Sequence, residues 1–156
     1  MSPAFRGFPV RTARLLATFL LLTGQAQGAT PPEGLWLTED RGGVVRISPC
    51  GANLCGTIVG LTFDPGQTIK LDFHGRDQCQ LTLLANLHLQ DDARYHGTVT
   101  NPEDGRTYSA EVWVPADGVL RLRGYIGLPL FGSTQLWPAY RGPVRQDCQF
   151  HLDGKP

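Results

Sequence analysis

Ile47-Ser48-Pro49-Cys50-Gly51-Ala52-Asn53-Leu54-Cys55-Gly56-Thr57-Ile58-Val59 is the stretch that decides the fold. Two runs that read as strands flank a short turn containing Gly51 and Asn53, residues that tolerate the backbone angles a tight reversal needs. A cysteine stands on each side of that turn. The stretch therefore reads as two antiparallel strands stapled near their connection, in a chain whose opening residues look like an export signal.

Residues 1–28 carry Arg6, Arg11 and Arg14 with no acid, then the apolar run Leu15–Leu22, then small and polar residues ending Ala26-Gln27-Gly28. This is the order of a signal peptide, with cleavage expected after Gly28 or Ala29. The apolar run is far shorter than the roughly 20 residues needed to cross a bilayer, so no membrane span is expected after cleavage. The expected location is the periplasm or the medium. Cleavage removes three of 14 basic residues and none of 14 acidic ones, leaving a net charge of −3. Nucleic-acid binders concentrate positive charge, and here only Arg121 and Arg123 lie close together, so no nucleic-acid partner is expected. Residues 29–140 are expected to form one domain and residues 141–156 a tail tied by Cys148.

Cys50, Cys55, Cys79 and Cys148 all lie beyond the signal, and an even number in an exported chain reads most simply as two disulfides. The short spacing favours Cys50–Cys55, which leaves Cys79–Cys148. His74 with Cys79, Cys50 and Cys55 offers an alternative zinc set, but the spacing is not that of structural zinc sites and an oxidising compartment disfavours free thiolates. No metal is expected. A redox pair would want Cys-x-x-Cys at a helix start, and the spacing here is longer.

Alternation and turn residues recur along the rest of the chain, which reads as antiparallel sheet. Expected strands are Gly34–Thr38, Val44–Ser48, Thr57–Phe63, Tyr95–Thr100, Thr107–Val114, Val119–Ile126 and Ser133–Tyr140. Segment 64–78 reads as loop with a short strand over Thr68–Phe73. Between Gln80 and Gln90, Leu81, Leu83, Leu87 and Leu89 alternate as in a strand, while Leu81, Leu84, Ala85 and His88 fit a helix; strand is the preferred reading. The linkers Asn101–Gly105 and Pro115–Gly118 have hairpin chemistry and make the last strands a meander. About eight short strands protect their edges best by closing into a barrel. Within it Leu120, Leu122, Gly124 and Ile126, with Tyr108, Ala110, Val112 and Val114, should face inward and fill the interior. Arg121, Arg123 and Glu111 should face water.

The motifs Gly34-Leu35-Trp36, Val45-Arg46-Ile47, Pro49-Cys50-Gly51, Leu54-Cys55-Gly56, Ile58-Val59, Asp104-Gly105-Arg106-Thr107-Tyr108, Gly124-Tyr125-Ile126-Gly127 and Gly132-x-Thr134-Gln135-x-Trp137 occur in one order. Together they resemble the bacterial exported proteins of domain-of-unknown-function family 2147, from about Gly34 to Trp137. The resemblance implies a single exported all-β domain with a calycin-like barrel, and it supplies no agreed activity and no catalytic residues. The chain departs from the family pattern at Gln80, where Gly usually follows the third cysteine, and in its tail Arg141–Pro156.

No nucleophile elbow, phosphate-binding loop, zinc helix or haem-attachment motif is present in the sequence, and no cofactor is expected. Ser48, Ser109 and Ser133 with four histidines allow a triad only on paper. Glu103, Asp104 and Asp117 lie in expected turns, where they shape the backbone, so with Glu111 they make a poor acid/base set. No catalytic residues are assigned. The remaining candidates are aromatic: Trp36, Tyr108, Tyr125, Phe131 and Trp137 could line a cavity or rim that takes a small apolar or amphipathic ligand, with the site at the end near Trp36 and Phe131. The bend Gly127–Gly132, with Leu128, Leu130 and Phe131, is the expected lid. The alternative from another class is a module that docks a protein of the cell envelope through turn 50–56 and loop 127–132; a hydrolytic enzyme stands third.

Overall fold

The computed structural model describes residues 29–150; the signal-like segment 1–28 and residues 151–156 lie outside the described residues. Eight antiparallel strands follow one another in simple up-and-down order: β1 (Gly34–Leu37), β2 (Gly43–Cys50), β3 (Asn53–Leu61), β4 (Thr82–Leu89), β5 (Tyr95–Thr100), β6 (Thr107–Trp113), β7 (Leu120–Tyr125) and β8 (Ser133–Trp137). Past β8 the chain runs back along β1, where the Leu37 N–H donates to Pro138 O and the Tyr140 N–H to Leu35 O, so the sheet all but closes on itself. The result is the all-β barrel that the strand count required.

The core of the barrel is Trp36, Val45, Ile47, Leu84, Leu87, Ala110, Val112, Leu120, Leu122 and Trp137. These are inward positions of six strands, set by the period-2 pattern except at Leu84 and Leu87 of β4. Strands draw closest where side chains vanish: a Cβ on Gly97 would collide with the Ala85 carbonyl, and one on Gly56 would press into Leu84 at 2.8 Å.

Both disulfides have the pairing that the spacing favours, Cys50–Cys55 and Cys79–Cys148. The second holds a tail with a structural duty of its own. Phe150 packs with Leu37, Val44 and Val59 on the outer side of β1–β3, supported by Leu35, Tyr140 and Val144. Pairing of Leu61 with the 148–150 segment fixes it there, through Leu61 N–H to Cys148 O and Phe150 N–H to Leu61 O.

Several boundaries differ from the sequence reading. Thr68–Phe73 is not a strand; the segment instead folds as a small hairpin in which Leu71 bridges Asp77 and the Gln78 N–H donates to Lys70 O. Its tip is organised by the buried Asp72 carboxylate, which accepts from the His74 and Arg76 N–H groups and from the Arg76 guanidinium. Residues 82–89 are strand, as preferred, yet Leu84 and Leu87 both point into the core because the ladder shifts between Ala85 and His88 around Asn86 at φ 56°. That bulge is the source of the helix-like spacing. Glu111 does not face water: only 3% exposed on the outer face, it pairs with Arg94 at 2.6 Å, and Arg94 lies over the Trp113 ring.

Candidate functional site

The aliphatic residues do not fill the barrel. A cavity of about 500 Å³ opens at the end that carries the β1–β2, β3–β4, β5–β6 and β7–β8 connections. It exceeds the roughly 300 Å³ at which small-molecule sites begin. Much of its wall is apolar, formed by Val45, Ile58, Leu61, Leu83, Val99, Leu122 and Trp137. Its mouth is polar, with Glu39, Asp40, Lys70, Gln78, Asn101 and Glu103 at the rim and Tyr108, Ser133 and Gln135 along the β6 and β8 walls. An apolar wall with a polar mouth suits an amphipathic guest.

Gly124 makes room for that space. It lies opposite Ser133 in the β7–β8 ladder, and a Cβ there would meet only ordinary contacts, 3.5 Å to Val99 and 3.9 Å to Tyr108.

Much of the rim's polarity is spent on the fold. The Glu39 carboxylate accepts from the Leu136 N–H at 3.1 Å, helping to join β1 to β8. Asp40 accepts from the Thr38 hydroxyl and the Gly42 N–H, which sets the β1–β2 turn. Burial opposes its ionisation, but those two bonds and the charge of Lys70 outweigh burial and hold its carboxyl below the usual value. Gln78 donates its side-chain amide to Leu71 O within the small hairpin. Trp137 donates Nε1–H to Gln135 Oε1 at 2.8 Å, which fixes that amide with its NH₂ free.

The five aromatics singled out in the sequence do not assemble into one site. Tyr108 and Trp137 line the cavity. Trp36 lies in the core beneath it, with Nε1–H on Pro32 O. Tyr125 pairs with Ser109, placing it on the outer face. Phe131 sits in a short 3₁₀ turn, Pro129–Phe131, and does not border the cavity. That turn is held outward by Arg123, which donates to Pro129 O, Leu130 O and the Thr134 hydroxyl. Ile126, Leu128, Leu130 and Phe131 are left 75, 62, 79 and 77% exposed.

Sequence reasoning missed Lys70, Gln78 and Gln135 as lining residues, and placed Gly124 inward without reading the space that it leaves. Gln135 was legible in principle, because it shares the inward phase of β8 with Ser133 and Trp137. Lys70 and Gln78 were not, since they reach the mouth through a loop without periodicity.

The sequence pattern of domain-of-unknown-function family 2147, described as an uncharacterised protein conserved in bacteria, matches residues 34–138, which are β1 through the end of β8. The chain belongs to that family. The match stops short of the tail that carries Cys148 and Phe150. No curated protein matches the chain. Among solved structures, protein HP1028 from Helicobacter pylori, described as belonging to the lipocalin family, superposes with a TM-score of 0.63 at 18% identity. The superposition covers 80% of this chain and 95% of that one. At that identity the likeness concerns the fold: this family member has a lipocalin-like barrel.

Proposed function

We propose that the protein is an exported, non-enzymatic binder of a small amphipathic molecule held in the barrel. The observation that carries the reading is the cavity itself, with an apolar wall and a polar mouth. The signal-like order of residues 1–28 supports export, and two disulfides suit an oxidising compartment. Mass spectrometry of the protein from the periplasmic fraction is expected to place the mature N-terminus near Ala29; an intact Met1 in that fraction would contradict cleavage.

Gly124→Phe tests the binding reading. The new ring has space to enter only by occupying the cavity, and glycine in a strand interior contributes no packing to lose. Stability is expected to stay within about 1 kcal/mol of the parent. Uptake of a neutral apolar fluorophore, N-phenyl-1-naphthylamine, should fall at least about tenfold, or about 1.4 kcal/mol. Equal uptake by the folded variant and the parent would place the fluorophore elsewhere and remove the cavity from the function.

A second reading, a docking module of the cell envelope, is favoured by the apolar turn that Arg123 holds in solvent. Exposed apolar side chains grouped on one loop are unfavourable without a use. In that case Gly124→Phe would be silent, and removing Leu130 and Phe131 would cost partner binding.

A further inference from the structure

We infer that the guest of the cavity carries an anionic head group, a carboxylate on an apolar chain, and that Lys70 holds it at the mouth. The inference rests on the binding reading above and adds the chemical class of the ligand.

The polar groups left over after the fold has used its share are mainly donors. Lys70 is the one cation among the described residues that line the cavity; its charge helps to lower the Asp40 carboxyl across the rim, but none of the ion pairs among the described residues includes it. Gln135 has its oxygen occupied by the Trp137 indole, so what it offers the cavity is the NH₂. The hydroxyls of Tyr108 and Ser133 line the same space and can each donate. Of the three rim acids, Glu39 and Asp40 are committed to the Leu136 N–H and to the β1–β2 turn, and Glu103 lies in the exposed β5–β6 turn. An ammonium, an amide NH₂ and two hydroxyls on one cavity match an anion's lone pairs, and a charge-assisted bond is the strong kind. The apolar wall accounts for the chain.

Lys70 is also held in place. Its carbonyl accepts from the Gln78 N–H, closing the base of the small hairpin, and the adjacent Cys79 is bonded to Cys148. The lysine thus stands on a braced backbone, so binding has its side chain to order but not the hairpin as well.

Competition for bound N-phenyl-1-naphthylamine on the mature protein reads the head group directly, using dodecanoate, dodecanol and dodecylamine at submicellar concentrations. Dodecanoate is expected to displace the fluorophore at about tenfold lower concentration than dodecanol, and dodecylamine to be the weakest. Lys70→Met should bring dodecanoate to the level of dodecanol, and Lys70→Arg should keep the preference. Thermal unfolding of each variant establishes that it is folded. Equal displacement by dodecanoate and dodecanol in the parent, or an unchanged preference in folded Lys70→Met, overturns the anionic head while leaving a binding cavity intact. A parent that takes up no fluorophore at all overturns the cavity reading and this inference with it.

Discussion

Replacing Cys79 and Cys148 together by serine is expected to lower the unfolding free energy by about 4 kcal/mol, roughly twice the loss expected from replacing Cys50 and Cys55. The bridges close loops of sequence separation 69 and 5, and the closure entropy removed from the unfolded chain grows with loop length. Packing adds to the difference. Cys148 is fully buried, and its segment pairs with Leu61 and delivers Phe150 to the outer cluster on β1–β3, so loosening the bridge also loosens that cluster. The short bridge spans a turn that the β2–β3 ladder already defines, with Cys50 opposite Asn53 and Ser48 opposite Cys55. Denaturant titration of the two double variants gives the comparison; equal losses would overturn the loop-length account and leave the packing of the tail without a measurable contribution.

The barrel was legible because its evidence is local and repeated. Alternation in Leu120–Tyr125 and Thr107–Trp113, and hairpin chemistry at Asn101–Gly105 and Pro115–Gly118, each point to neighbouring antiparallel strands, and a meander of such strands has few ways to hide its edges. Legibility failed where one residue altered the period. Asn86 in left-handed conformation turns a strand into a segment with Leu84 and Leu87 three apart on one side, which is helix spacing by sequence alone. It failed again where a polar residue is buried by a distant partner: Glu111 meets Arg94 from the β4–β5 connection, 17 residues earlier, and no local pattern encodes that pair.

The site was half legible for a related reason. Apolar lining follows from strand phase, so Leu122, Val99 and Trp137 come from the same alternation that gives the core. Whether inward residues meet in the middle or leave a space depends on side-chain volume summed across all eight strands. Gly124, small at a position where its neighbours are large, decides that locally. The rim depends on loops, and the 62–81 connection brings Lys70 and Gln78 to the mouth by hydrogen bonds to itself and, through Phe73 N–H, to Pro102 O. Aromatic character was a poor guide, because an aromatic ring serves equally in a core, on an outer face or on an exposed turn.

Trp137 and Phe131, paired in the sequence reading as ligand residues, are expected to behave oppositely when cut to alanine. Trp137 is 1% exposed and belongs to the central core while its upper surface closes the cavity floor. Its removal leaves a void that the surrounding Leu120, Leu122 and Val45 cannot collapse into without breaking the β7–β8 and β1–β2 registers, so a loss of about 3–5 kcal/mol is expected. Trp137→Phe separates volume from polarity. Most of the bulk remains, and the missing indole N–H frees the Gln135 oxygen at the cavity wall, for a loss of about 1 kcal/mol. Phe131→Ala removes a ring already in solvent and should stay within about 0.5 kcal/mol of the parent. Because Phe131 does not border the cavity, fluorophore uptake should be unchanged. A loss of several kcal/mol at Phe131 would require the turn Pro129–Phe131 to fold inward over the cavity in solution, against the three hydrogen bonds by which Arg123 holds that connection to the outer face.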